Sequence, residues 1–441
     1  MGIDIYEGGW GKVKLISRIT AGPPLPRLEI TAGLGYNYHG VRFRLMPKEE
    51  VDLDIGEVKD AIGAEIDACH RELGELSRKI HDNPEVAFRE QQAAEVLTAY
   101  LERNGFRVVR GICRLPTAFR AKYGRGRPVV AFLAEYDALP KLGHACGHNL
   151  IATSAVAAGV ASKKVADGCG GSVMVFGTPG EELYGGKAIM VERGAFRGVD
   201  MAMIAHPGGG NRVVMNTLAC ETLEVEFRGR AAHAAAQPEA GINALEAMVQ
   251  SYNAINSLRQ HIRDNSRISG IITDGGEAAN IVPAHTAATF IVRAAEDAYL
   301  EELKEKVINC FAGAAAATGA KLEYRWGEHY AAMRNNLTMA GLFRLNMRSL
   351  GRSIPLGDET LMNFSTDVGN VSRLVPTIQP LVAIAPGGVM IHSPRFERAA
   401  ATEKALDIML DAARAMAMTA ADILGNKETA AKVSEEFRKG K

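Results

Sequence analysis

Residues 129–150 read VVAFLAEYDALPKLGHACGHNL. Val129–Ala134 is an apolar run of the length of one buried strand. The polar stretch EYDALP at 135–140 ends it. GHACGHN at 143–149 then sets a thiol and two imidazoles in a glycine-containing turn, just ahead of a small-residue helical stretch at 150–165. Strand, polar loop and helix form the repeating unit of an α/β layer with a parallel sheet. Such sheets carry their sites outside the carboxyl ends of the strands.

The same alternation extends on both sides. Upstream, Ile62, Ile66, Leu73, Leu76 and Ile80 recur at helical spacing, and a second helix over 91–104 stops at Gly105. Downstream, strands are expected at 173–176 and 201–205, with a helix at 187–193 between them. A different order starts near Thr222. Strand 222–227, helix 244–262, strands 268–272 and 288–292, helix 299–316 and strand 322–325 give β-α-β-β-α-β, the ferredoxin-like order. After about Met333 the chain returns to α/β character, with a strand at 381–385 and a long helix over 402–423. The expected fold is therefore α/β. A catalytic domain with a mainly parallel central sheet, residues 56–217 and 331–430, is interrupted by a ferredoxin-like insert at 218–330. Residues 431–441 are expected to be a charged tail, frayed from about Asn426 onward. Residues 1–55 are rich in glycine, with strand-like pieces at 28–31 and 41–45, and are read as an extension without an assigned role.

Whole-chain properties narrow the function. A chain of 441 residues suggests two or three domains, at about 100–200 residues each. Lys plus Arg and Asp plus Glu both total 51, and this balance argues against nucleic acid or an anionic membrane as the main partner. The six cysteines are scattered, unlike a disulfide framework. No apolar run approaches the roughly 18 residues that span a bilayer. The chain starts MGID, with no basic stretch leading into an apolar one. The expectation is a reducing, cytoplasmic setting.

Four groups sit at expected strand ends or loops. They are Cys146 with His148, Glu181 with Glu182, His206, and His392 in IHSP at 391–394. Taken singly, each has an ordinary explanation. A lone histidine is often a hydrogen-bonded structural residue, paired glutamates are usually a solvated face, and a buried cysteine usually packs. Together they supply thiolate, imidazole and carboxylate, the ligand types for zinc and related metals.

On these motifs the chain resembles the two-metal amidohydrolases and aminoacylase-like metallopeptidases. That group includes aminobenzoyl-glutamate hydrolase, hippurate hydrolase and the plant hydrolases of auxin–amino acid conjugates. The matching stretches are EYDALP, GHACGH, PGEE at 179–182, AHP at 205–207 and HSP at 392–394. In the insert, FRGRAAH at 227–233, Pro238, NAL at 243–245, NIVP at 280–283 and IVR at 291–293 match as well. STDVGNVS at 365–372 resembles the aminobenzoyl-glutamate hydrolase subunit and dipeptidase-like branch.

The resemblance implies two divalent metal ions, zinc or manganese, on Cys146, His148, Glu182, His206 and His392, with Cys146 bridging. It implies Glu181 as general base and Asp137 as the group that orients a ligand. It leaves His144 outside the ligand set. Glu135, where many relatives have aspartate, receives no role. His233, Asn280 and Arg293 are implied to bind substrate, His233 by donating to an oxyanion and Arg293 by clamping a free carboxylate. It further implies a homodimer formed through the insert, with His233 reaching the neighbour's site. The expected activity is metal-dependent hydrolysis of a small amide or peptide bond in a dipeptide, an aminobenzoyl-glutamate or an N-acyl amino acid. The alternatives are a cysteine hydrolase using Cys146 with His148 or His144, and a non-catalytic metal-binding homologue. A structural zinc site fits less well, because those are usually closed four-ligand Cys/His sites.

Overall fold

The apolar runs Val129–Ala134 and Gly171–Gly177 form the middle of a six-stranded sheet. The computed structural model describes residues 54–357, 362 and 364–440. The expected extension and its strand-like pieces at 28–31 and 41–45 lie outside the described residues, apart from 54 and 55, which begin the first helix. In spatial order the sheet runs Arg107–Arg110, Phe119–Arg125, Gly171–Gly177, Val129–Ala134, Met201–Met203 and Thr377–Ile378. The four strands from Gly171–Gly177 onward pair in parallel, and the first two strands pair antiparallel. Val129–Ala134 and Gly171–Gly177 are buried along their whole length. Strands covered on both faces read as continuous apolar runs, and these two were legible for that reason. The outer strands, RVVR and FRAKYGR, were not. Arg107–Arg110 is an edge strand, where charged side chains reach water, and Phe119–Arg125 is paired on both sides but only partly buried. The charges of both hide the strand pattern.

Helices cover both faces. Ile55–His81 buries Val58, Ile62, Ile66, Leu73, Leu76 and Ile80, and Asp54 caps it by accepting from Gly56 N. It packs with His148–Ala161 and Glu403–Leu424. His148–Ala161 is buried at every position; its alanines suit close packing with the neighbouring helices, and at Gly159 a Cβ would lie 2.4 Å from Val175 of the sheet.

A second sheet holds Lys321–Trp326, Ala219–Arg228, His285–Ala294 and Arg267–Asp274, in that order and wholly antiparallel. It has its own core. Leu223, Val225, Phe227, Phe290 and Val292 from the strands meet Met248, Leu300, Leu303, Val307 and Phe311 from the helices Ala244–Leu258 and Asp297–Thr318. From Glu221 to Arg228 buried and more exposed positions alternate, and Leu223, Val225 and Phe227 give one apolar face. The opposite face carries cross-strand ion pairs such as Arg325 with Glu224 and Arg228 with Glu323. The β-α-β-β-α-β order expected from the sequence is the order observed.

The expected frayed tail is instead the helix Lys427–Lys439. Asn426 caps it, and Val433 and Phe437, four residues apart, turn one face inward. Asn336 Nδ2 donates to Val433 O, and Glu436 accepts from Leu337 N and Thr338 N. The many charges masked a two-residue apolar stripe. No described helix is long and apolar enough to cross a membrane.

Candidate metal centre

The loop after Val129–Ala134 delivers the first donors. Asp137 is buried and uses all of its acceptors. Its Oδ1 and its backbone O accept from His148 Nδ1, at 3.1 and 2.9 Å, and its Oδ2 accepts from Glu182 N at 2.9 Å. With acceptors on that side, Nδ1 carries the imidazole proton. The lone pair of His148 Nε2 therefore faces the site. Gly147 makes the turn possible, with φ +78°. A Cβ there would lie 2.6 Å from Pro207, so only glycine lets the Cys146 turn lie against the His206–Gly208 strand.

That strand brings His206. Its Nδ1 donates to Pro207 O at 2.7 Å, and its Nε2 stands 3.6 Å from Cys146 Sγ. The strand Gly171–Gly177 leads into the one-turn helix Glu181–Tyr184. There Tyr330 Oη donates to Glu181 O at 2.9 Å. His392 follows Leu381–Ala383 and adopts a left-handed backbone, φ +60°. Such strain in a residue other than glycine persists only where the surroundings enforce it. Here His392 N donates to Ala145 O at 2.8 Å, and Nε2 lies 3.4 Å from Glu182 Oε2.

The five expected ligands therefore converge. Donor atoms of Cys146, His148 and His206 lie within 4.8 Å of one another, and so do those of Cys146, Glu182 and His392. The two sets share the Cys146 sulfur. His148, Glu181 and Glu182 form a further such group, which places Glu181 beside both sets. His144 is buried but belongs to none of them.

These residues fit divalent cations on physical grounds. His148 Nε2 and Glu182 Oε1 are buried, lack a hydrogen-bond partner and face each other at 3.9 Å. Two lone-pair-bearing atoms so placed call for a cation between them. Burial pushes the Cys146 thiol well above its usual range, and nearby Glu182 adds to this. A cation reverses that balance and ionises a coordinating thiol. Glu181 is likewise held well above the usual carboxylate range, by burial first and then by Glu135, Asp367 and Glu182.

The residues expected from the insert divide into two groups. Arg293, in His285–Ala294, donates from Nη1 to Ser365 Oγ at 2.6 Å and stands in register opposite Cys220. His233 and Asn280 are both exposed, on adjoining loops joined by Ala234 N donating to Asn280 O at 3.0 Å. Among the described residues, no hydrogen bond or ion pair links either of them to the Cys146 donor cluster. Four groups at the centre escaped the sequence reading: Glu90, Lys187, Tyr330 and Asp367. Two left a trace: Asp367 within the STDVGNVS run at 365–372, and Lys187 as a lysine within the otherwise small and apolar GGKAIMV at 185–191.

Comparison with known proteins decides the family. Human Xaa-Arg dipeptidase is 36% identical over 395 residues, covering 85% of this chain and 90% of the relative. The chain belongs to the M20 family. Residues 221–318 match the M20 peptidase dimerisation domain. One of the p-aminobenzoyl-glutamate hydrolase subunits of Escherichia coli is 36% identical over 304 residues, covering 64% of this chain and 63% of the relative. Among solved structures, a dinuclear metal-binding M20 peptidase from Bacillus subtilis superposes with a TM-score of 0.62 at 22% identity, covering 81% of this chain and 99% of its own. As an M20 member, the protein is a metal-dependent hydrolase of small amide or peptide bonds.

Proposed function

We propose that Cys146, His148 and His206 hold one divalent cation, zinc or manganese. Cys146, Glu182 and His392 would hold a second, so that Cys146 would serve both sets, and Glu181 is the general base. The observation that carries this reading is the pair of donor sets sharing one thiolate, with Glu181 grouped beside His148 and Glu182. Bound metal supplies an acidified water and polarises the scissile carbonyl. Glu181 takes the proton of the attacking water and passes it to the departing amine. Asp137 holds His148 in the required tautomer and anchors Glu182 by its backbone.

The substrate in this reading is a small amide with a free carboxylate: a dipeptide, an aminobenzoyl-glutamate or an N-acyl amino acid. Xaa-Arg dipeptides and p-aminobenzoyl-glutamate, named for the two relatives, both carry such a carboxylate. Residues 218–330 act as lid and dimerisation domain of a cytoplasmic homodimer, consistent with the match over 221–318. Zinc suits the thiolate, while manganese suits the carboxylate.

The test is a hydrolysis panel of dipeptides and N-acyl amino acids, run on protein stripped with EDTA and then reloaded with manganese or zinc. Activity should vanish on stripping and return with metal. Survival in EDTA with loss to iodoacetamide would instead identify a cysteine hydrolase.

Arg293 with Asn280 recognises the carboxylate. Guanidinium offers a planar fork matched to a carboxylate, and an ammonium does not. The Ser365 bond orients that fork. Arg293→Lys should therefore raise KM for free-carboxylate substrates and matter little for amidated ones. Steady-state kinetics on matched acid and amide pairs checks this. Equal losses on both would make Arg293 structural.

A further inference from the structure

The turn that carries Glu181 has little stiffness of its own. Gly180 precedes it with φ +72°, and Gly185 and Gly186 follow it. Three buried carboxylates from outside the turn hold its backbone instead. Gly180 N donates to Glu90 Oε1 at 2.9 Å, Glu182 N to Asp137 Oδ2 at 2.9 Å, and Lys187 N to Asp367 Oδ2 at 2.8 Å.

Lys187 then does more than accept this restraint. Its side chain is wholly buried, and Nζ lies 2.7 Å from Asp367 Oδ1 and 2.7 Å from Glu135 Oε1. Glu135 Oε2 in turn faces His148 Nε2 at 3.6 Å. One ammonium thus ties three segments together. They are the loop bearing Cys146 and His148, the turn bearing Glu181 and Glu182, and the 365–367 stretch that receives Arg293. Lysine is almost never fully buried unless paired, and this pairing joins the walls of the site. The ligands have supports of their own: Asp137 for His148, Pro207 O for His206 and Ala145 O for the backbone of His392.

We propose that Lys187, through Asp367 and Glu135, is a positioning residue for Glu181. It locks the start of the helix Gly186–Glu192, and with it the preceding turn, at a fixed reach from the Cys146–His148 loop. A base works only within hydrogen-bond reach of its proton, and a displacement of about 1 Å can cost on the order of 10²-fold in rate. The proposal rests on the reading of Glu181 as base.

The test uses Lys187→Met, which removes the cation at similar length, and Asp367→Asn. The latter leaves an acceptor for Lys187 N but turns an amide toward Nζ. Full-length protein is reloaded with manganese and measured for thermal stability, metal content, metal affinity by titration calorimetry, kcat and KM. Both variants should bind metal with stoichiometry and affinity close to wild type and keep KM. Their kcat should fall by about 10–100-fold, as loss of an outer support typically does. In a Glu181→Gln background, neither should lower kcat further, because residues acting through one another are not additive.

Metal-loaded variants with near-normal kcat overturn the proposal. So does a kcat loss explained by lost metal, or an equal loss in the Glu181→Gln background. If Lys187→Met does not fold, Asp367→Asn decides. Near-normal turnover in Glu181→Gln alone would remove the base assignment and this inference with it. A Glu181→Gln loss combined with additive Lys187 effects removes only the inference.

Discussion

Glu181→Gln, loaded with metal, should keep its fold and both cations and lose roughly 10²–10⁴-fold in kcat. Glutamine matches glutamate in shape but cannot take up the water proton. The surroundings of the residue predict that the damage stays local. Its neighbours hold it through backbone atoms: Tyr330 Oη donates to Glu181 O, and Glu90 and Asp137 accept from Gly180 N and Glu182 N. None of these bonds involves the carboxyl group that changes. Glu182, with its side chain between His148 and His392, remains as it was. Metal content by plasma emission and kcat at saturating substrate, measured on one preparation, make the check. Near-normal turnover with full metal rules the assignment out.

The second large effect concerns His233. Its Nδ1 accepts from Ala235 N at 3.3 Å and Ala236 N at 3.2 Å. An accepting Nδ1 has no proton, so Nε2 carries it and can donate to a developing oxyanion. Yet His233 is exposed, and among the described residues no hydrogen bond or ion pair links it to the Cys146 donor cluster. We propose that a partner protomer supplies the oxyanion donor. His233→Ala should then cost roughly 10²–10³-fold in kcat. Co-expressed mixed dimers of Glu181→Gln and His233→Ala should regain activity, because one site of each hybrid holds both native residues. If His233 serves its own chain, each site of the hybrid lacks one of them. Verified heterodimers without recovery would therefore place His233 in its own protomer's site or outside the reaction.

Much of this was legible because the pattern that forms the strands also marks their ends. Apolar runs at 129–134 and 173–176 announced buried strands, and the segments that follow them carry Asp137, Cys146, His148, Glu181 and Glu182. Alternation in 222–227 likewise announced a strand, which became part of a one-sided sheet. Ligand roles came from motif resemblance rather than spacing, since each residue alone had an ordinary explanation. The terminal helix was missed because charge dominates its composition, while two side chains, Val433 and Phe437, decide its packing.

By itself, then, the sequence determined the layered α/β architecture, the ferredoxin-like insert and the residue types available at each strand end. Periodicity and turn chemistry are properties of neighbouring residues, and they act locally. Only the tertiary structure decided that Cys146 is common to two donor sets and that the Glu181 turn hangs on carboxylates from elsewhere. Glu90 reaches Gly180 across 90 positions, and Asp367 reaches Lys187 across 180. A buried charge is stable only beside its partner. Where the partner is that distant in the chain, packing alone brings the two together.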